Sequence, residues 1–563
     1  MVADDLQPHD ISRRYTPHIE SIGAISFGNA YTPGPLCTPS RYSILTGRHP
    51  SCHFSHSRRH PSMLQQIGIN GSSALLPDLQ PIEFNINLPM RASAANNNSG
   101  DQCTAPTIAT HLRERGYATG IFGKWHLGYP ALAVTPADRQ RIISAQPSQW
   151  KSVKGVVQSE YKSVQQHVRR CGFDVAERLY VNNLYPEQHL LPGSMLFHNI
   201  EWVVEGARNF MSKPRKGPFF AYVGFTLPHN PDVLQSLQAD PRFTPGGLWA
   251  ANRDEVLSKR EAVCRAANVS TEALLGASDE KASRRQPVPM VAGESASPRY
   301  GHRHYPLALA WLDSGVGELM RALKAMNDQN TLTIFTSDHA AFDKGHCYTG
   351  GSRIPMLLRW PAMVTPRTTP LPHLVSHIDL MPTILNAANT PTADDAVDAS
   401  AALVNVIDAP VSQLSGRSLA SLLVAGSSSS DQAEGASWQE AWAHGSPRQR
   451  TLFCEVGQSR SAFTSRYRLI WSPRIKPIDK GGTTDVTKNY QSHKHHTSYW
   501  RPLQFYDLVS DPEEQHNLLI PAERAALNMS SSDQRHFKAE LTRLQEALKS
   551  HLDEPRVAHE CAA

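Results

Sequence analysis

Short apolar runs alternating with amphipathic stretches constrain this chain most. Phe219 to Phe225 reads FFAYVGF, a pattern suited to a strand covered on both faces, as in a parallel sheet between helical layers. Thr107 to Arg115 reads as a helix closed by Gly116, and Tyr117 to Phe122 as the strand after it. A helix over Ala308 to Met326 precedes a strand over Thr331 to Thr336, and Ile378 to Ala387 is a further amphipathic helix. This alternation predicts an α/β fold built on a large, mostly parallel sheet flanked by helices. After about residue 447 the pattern changes. Thr451 to Glu455, Ser461 to Trp471 and Leu503 to Leu508 read as strands without intervening helices, and a helix over Asp533 to Leu552 closes the chain. The expectation is a main domain over 1–446 and a smaller C-terminal subdomain over 447–563, an antiparallel sheet plus a helix. Polar, strand-poor stretches near 51–105, 129–165, 232–300 and 390–446 read as insertions, the last containing Ser427 to Ser430.

A chain of 563 residues has room for both parts. Its formal net charge is +5, without a dense Lys/Arg block, which argues against a nucleic-acid partner and suits an anionic small substrate. No apolar run is long enough to span a membrane. The eight cysteines are scattered with no CxxC pair, which argues against zinc-ribbon chemistry, and disulfides in an oxidising compartment are open to some of them. Sequons at Asn70, Asn97, Asn268 and Asn528 lean the same way, toward a secretory route.

In open α/β sheets, ligands bind beyond the carboxyl ends of the strands. Four polar clusters fall there: Asp4 and Asp5 after Met1 to Ala3, Lys124 and His126 after Phe122, His229 after FFAYVGF, and Asp338 with His339 after TLTIFT. Each alone has a bland reading, as a helix cap or a structural histidine. Four at four strand ends point to one site. A fifth element is Cys37-Thr38-Pro39-Ser40-Arg41. Pro39 suits the first turn of a helix running to Gly47, which places Cys37 at an amino end that favours anions. A buried or disulfide-bonded cysteine and a thiolate nucleophile are both compatible with that position.

The long motif CTPSRYSILTGR (Cys37 to Arg48) and GYATGIFGKWHLG (Gly116 to Gly128) resemble the two signatures of the type I sulfatase family, in the alkaline phosphatase superfamily. The resemblance continues through ADDL (Ala3 to Leu6), TLPHNP (Thr226 to Pro231), TSDH (Thr336 to His339), KGHCYTGGSRIPMLLRWP (Lys344 to Pro361), SHIDLMPTIL (Ser376 to Leu385) and FYDLVSDPEEQHNL (Phe505 to Leu518).

The resemblance implies a sulfuric ester hydrolase whose Cys37 is oxidised to formylglycine (3-oxoalanine) by the formylglycine-generating enzyme. Asp4, Asp5, Asp338 and His339 would hold a divalent metal beside position 37, usually calcium, with magnesium and manganese as alternatives. Arg41 would stabilise the hydrated aldehyde, Lys124 and Lys344 would grip the sulfate oxygens, His126 would act as a base, and His229 with Lys344 would protonate the leaving group. The substrates implied are sulfated sugars or polysaccharides, with arylsulfatase-like activity on reporters. The chemistry agrees with these roles. A sulfate ester repels nucleophiles until cations neutralise its oxygens, oxygen ligands select a hard cation, and a hydrated aldehyde has a second hydroxyl with which to expel sulfate. Three departures stand out: His339 where many relatives carry Asn, Ala340 and Ala341 where a glycine is common, and only three residues before Asp4 where relatives carry a full apolar strand, from which an upstream start is expected. Three other readings are a phosphodiesterase or phosphonate monoesterase of the same superfamily, a non-catalytic sulfoglycan-binding relative, and an unrelated thiolate hydrolase. The last leaves the acidic pairs unexplained.

Overall fold

The computed structural model describes residues 1–54, 90–91, 102–103, 105–129, 133–185, 189–269, 304–327, 329–389, 415–424, 450–457, 459–472, 495–527 and 530–553. The chain forms two compact units: Met1–Ala24, Asn87–Ser337 and Leu357–Ala362 in the first, and Ile25–Ile86, Asp338–Met356 and Met363–Ala563 in the second.

The first unit carries a large parallel sheet. Val2–Asp4 pairs with Thr333–Ser337 on one side and Phe219–Pro228 on the other. Phe219–Pro228 also pairs with Ala118–Lys124, which pairs with Val175–Tyr180. The 219–228 strand therefore has strand neighbours on both edges, and helices Ile200–Met211 and Tyr305–Ala325 pack against it, which is why its run is apolar at consecutive positions. One core joins Ala3, Phe122, Val203, Val223, Phe225, Trp311 and Phe335. Although Val2–Asp4 is only three residues long, all three are buried.

Residues 129–165, read as an insertion, are largely helical. They hold helix Pro136–Ile143 and most of helix Trp150–Arg170. The physical reason is a helical period among polar neighbours: Val153, Val157, Val164 and Val168 are all buried on one face. The 232–300 stretch likewise contains helices Val233–Gln238 and Arg253–Ala266. Most of 51–105, 270–303, most of 390–446, and the sequons at Asn70, Asn97 and Asn528 lie outside the described residues, whereas Asn268 is exposed.

In the second unit, Ile25–Tyr31 pairs in parallel with Leu371–Ser376. Helix Cys37–Thr46 ends at Gly47, whose φ of 65° closes the helix in the left-handed region. A Cβ on Gly47 would lie 2.9 Å from Met381. Four antiparallel strands follow, Leu452–Val456, Ser459–Phe463, Tyr467–Trp471 and Leu503–Asp507, and the final helix Ser531–Asp553 packs on the middle two. Leu469, Phe505, Phe537, Leu544 and Leu548 form their shared core. The single strand expected over Ser461 to Trp471 is a hairpin: Thr464 Oγ1 accepts from the backbone N–H groups of Arg466 and Tyr467, turning the chain. The observed class is the expected one, a large, mostly parallel sheet flanked by helices with a smaller antiparallel sheet and helix.

Candidate active site

Within the first unit, the strand ends carry five of the expected residues. Asp4 and Asp5 end the Val2–Asp4 strand, buried to within 3%. Lys124 Nζ donates to Asp4 Oδ2 at 2.5 Å and to Asn183 Oδ1 at 2.6 Å. Burial of an ammonium and a carboxylate requires such pairing, since either alone would cost several kcal/mol. The register of Ala118–Lys124 against Val175–Tyr180 shifts between Phe122 and Gly123, a bulge that re-aims the side chain following it. Gly123 has φ 82°, and a Cβ there would lie 1.9 Å from the Gly224 carbonyl oxygen, so only glycine fits.

His126 follows with φ 58°, and Asp5 has φ 72°. Left-handed backbone at non-glycine residues costs of the order of 1–3 kcal/mol and concentrates at functional sites. The His126 backbone N–H is held by the Val181 carbonyl at 2.9 Å. His229 Nε2 lies 3.7 Å from Asp5 Oδ2, and its Nδ1 shares a hydrogen bond with the Asn230 carbonyl at 3.0 Å. Asp4, Asp5 and His229 each offer a ligand atom within 4.8 Å of the others. The His229 loop is braced by His198, whose ring bonds Thr226 Oγ1 at 2.7 Å and the Pro231 carbonyl at 3.1 Å. Burial lowers the pKa of His198 to about 3, keeping the ring neutral.

The second unit gathers the others. Cys37 is the first residue of its helix, and its Sγ lies 3.3 Å from His339 Nε2. Arg41, one turn on, donates from Nη2 to Asp338 Oδ2 at 3.1 Å, with neither side chain exposed. Asp338 Oδ1 accepts from the His339 backbone N–H at 2.9 Å, and Ser40 Oγ donates to the Asp338 carbonyl and bonds His377 Nδ1 at 3.2 Å. Cys37, Asp338 and His339 each offer a ligand atom within 4.8 Å of one another. Buried carboxylates of this kind suit a hard divalent cation, for which an imidazole is a less typical ligand. The donor set therefore fits a divalent metal ion.

Lys344 is also buried, beside a network the sequence reading did not anticipate. Asp343 Oδ2 bonds His496 Nε2 at 2.9 Å, and the other ring nitrogen bonds the Glu514 carbonyl. Burial pushes Glu514 up from 4.5 to about 7, against the opposing charges of Arg468 and His496. His496 is raised although burial opposes it, because Asp343 holds its charged form. Both groups bind protons more tightly when folded. Their contribution is therefore present at low pH and lost as pH rises, Glu514 from about 4.5 through about 7 and His496 above its unfolded value of 6.5. Glu514→Gln should flatten this slope. Its stability relative to wild type should rise between pH 5 and pH 8 by up to about 3 kcal/mol, at about 1.4 kcal/mol per pKa unit. Denaturant titrations of both proteins at the two pH values provide the check, and parallel curves would remove Glu514 as the titrating group.

Asn183, His198, Asp343 and His496 carry no motif signal in the sequence, whereas His377 lies within SHIDLMPTIL. The first four are isolated polar residues far along the chain from the groups they hold, and no local spacing marks them. Cys171 is disulfide-bonded, while Cys264, Cys347 and Cys454 are free thiols. Among the described residues no helix is long and apolar enough to cross a membrane.

Comparison with known proteins bears on this arrangement. The profile of the family described as Sulfatase matches residues 2–390. An N-acetylgalactosamine-6-O-sulfatase of Bacteroides thetaiotaomicron is 26% identical over 449 residues, 72% of this chain and 75% of that protein. A steryl-sulfatase of Rattus norvegicus is 24% identical, over 92% of this chain and 84% of its own. A solved protein described as in complex with its substrate D-glucosamine-2-N,6-O-disulfate superposes with a TM-score of 0.50 at 16% identity, covering 99% of this chain and 98% of its own. That likeness supports the fold.

Proposed function

Because the chain belongs to the sulfatase family and is a sulfuric ester hydrolase, we propose that it uses a formylglycine made from Cys37 to cleave sulfate monoesters of sugars or polysaccharides. The observation that carries the mechanism is the position of Cys37 as first residue of a buried helix, its Sγ 3.3 Å from His339. Free N–H groups at that helix end favour the anionic sulfate and the charge that develops on it.

Asp4, Asp5, Asp338 and His339, with residue 37, are the residues proposed to hold the divalent metal, calcium by family habit. When bound, the ion neutralises charge on the sulfate oxygens. Lys124 and Lys344 add positive charge to the same oxygens. Arg41 holds Asp338 in place and tempers its charge. His229, with Lys344, supplies a proton to the departing alcohol, and His126 takes the proton from the second hydroxyl of the hydrated aldehyde so that sulfate leaves. Sugar specificity is supported by the sulfated-sugar enzymes among the relatives. The disulfide at Cys171 and the exposed sequon at Asn268 support a secretory route.

Side-by-side hydrolysis of an aryl sulfate and an aryl phosphodiester tests the reading. The sulfate should be preferred by at least about 100-fold in kcat/KM, a difference of roughly 2.7 kcal/mol in transition-state binding. Chelation should abolish turnover and added calcium restore it. A preference for the phosphodiester would replace the proposal with the phosphodiesterase reading, and full activity in chelator would remove the metal.

A further inference from the structure

We propose that His49, Glu455 and His551 form a second metal site, which takes a divalent transition metal of the zinc class. Each offers one ligand atom within 4.8 Å of the other two, and all three lie in the second unit. His49 follows the Cys37 helix, Glu455 lies on the Leu452–Val456 strand, and His551 is in the last turn of the final helix. Two imidazoles and one carboxylate are the donor set that zinc uses when three protein ligands leave a fourth position to water. None of the three belongs to the carboxylate-rich set assigned to calcium.

Three further observations point to a ligand. His49 is 7% exposed, and its Nδ1 is buried without a hydrogen-bond partner among the described residues. A buried ring nitrogen left unsatisfied is costly, and a metal or a metal-bound water would satisfy it. Second, the carboxylate is already oriented. Ser51 donates its backbone N–H to Glu455 Oε2 at 2.9 Å and its hydroxyl to Oε1 at 3.0 Å, the outer-shell support typical of metal-ligating carboxylates. Third, a helix carboxyl end carries partial negative charge that favours a cation near His551.

The protonation states agree with this geometry. Burial pushes His49 down to about 3, with the charges of His551 and Arg450 acting the same way, so the ring presents a lone pair at neutral pH. Burial opposes ionisation of Glu455, yet the His551 hydrogen bond and the charges of His551, Arg460 and His49 hold it well below the usual carboxylate range. The two arginines are engaged elsewhere, Arg450 with Asp379 and Arg460 with the carbonyls of Gly457 and Ser459. Without metal, His551 Nε2 and Glu455 Oε1 share a hydrogen bond at 2.8 Å, with the His551 ring stacked on Phe453 at 4.0 Å. Coordination through Nε2 moves that proton to Nδ1 or to solvent, and no redox change is involved.

The test uses the full chain, stripped with chelator and then held in excess calcium to saturate the carboxylate set. Zinc titrated into this protein should bind at one equivalent, counted by elemental analysis. Cobalt(II) in its place should give the intense visible absorption of a four-coordinate site with nitrogen ligands. His551→Ala and Glu455→Gln should each weaken zinc binding at least tenfold. Failure of the wild type to hold one zinc in calcium, a weak six-coordinate cobalt spectrum, or unchanged affinity in both variants would overturn the proposal. The cobalt spectrum of the wild type keeps it falsifiable should a variant fail to fold. Loss of sulfatase activity with the zinc site intact would leave it standing, so its failure and that of the catalytic reading are separable.

Discussion

Cys37→Ala should lower kcat/KM for an aryl sulfate by about 10⁴-fold or more, the scale on which deleting a covalent nucleophile acts. Folding should change by no more than about 1 kcal/mol, since only a thiol is removed from a helix start. Cys37→Ser is the sharper variant. Its single hydroxyl can displace the alcohol from sulfur but has no partner hydroxyl with which to expel sulfate. One equivalent of alcohol should appear in a burst, after which turnover stops. The tryptic peptide Tyr15–Arg41 should then carry the added sulfate, while the wild-type peptide from a host with the maturation enzyme should carry an aldehyde in place of the thiol. Steady turnover by the serine variant would show that the second hydroxyl is dispensable, and Cys37→Ala activity within tenfold of wild type would remove the residue from the chemistry.

Arg41→Ala should be the most destabilising of the site substitutions, by about 3–5 kcal/mol, because it leaves Asp338 buried and uncompensated. The pair is fully enclosed at 3.1 Å, with no solvent to take up the charge. Asp338→Asn should also destabilise. The double variant should lose less than the sum, with a coupling of about 0.5–3 kcal/mol, because neither partner is then left charged alone. Added calcium should recover part of the Arg41→Ala loss by binding the folded state. Denaturant unfolding of the four proteins, with and without calcium, measures these quantities. Additive losses, or a single-variant loss below about 1 kcal/mol, would mean that the pair does not hold the site. Activity should fall with Arg41→Ala as well, and Arg41→Lys should not restore it fully, since lysine lacks the planar fork.

Legibility followed the range of the interactions. Helix Cys37–Thr46 was readable because Pro39 and Gly47 mark its ends within ten residues, and Phe219–Pro228 because burial on both faces removes polar residues from a continuous run. Helix Trp150–Arg170 was missed because its buried valines are outnumbered by Lys, Gln and Ser, so composition masked the period. The Ser459–Phe463 and Tyr467–Trp471 hairpin was merged into one strand because its turn uses Thr464 rather than glycine or proline. The candidate catalytic residues were legible as motif members, whereas Asn183 and His496 have no motif to mark them.

The sequence by itself determined the α/β class, the antiparallel C-terminal part, the family and the candidates for the reactive residues, since propensity, periodicity and motif spacing are local properties of the chain. Tertiary structure alone decided which charges pair. Lys124 meets Asp4 across 120 residues, and Arg41 meets Asp338 across 297. It also decided the bulge at Gly123, the left-handed backbone of Asp5 and His126, and the meeting of His49, Glu455 and His551. Such contacts depend on sheet order and strand register, which are set by summed burial over distant segments, and no window of sequence contains both partners.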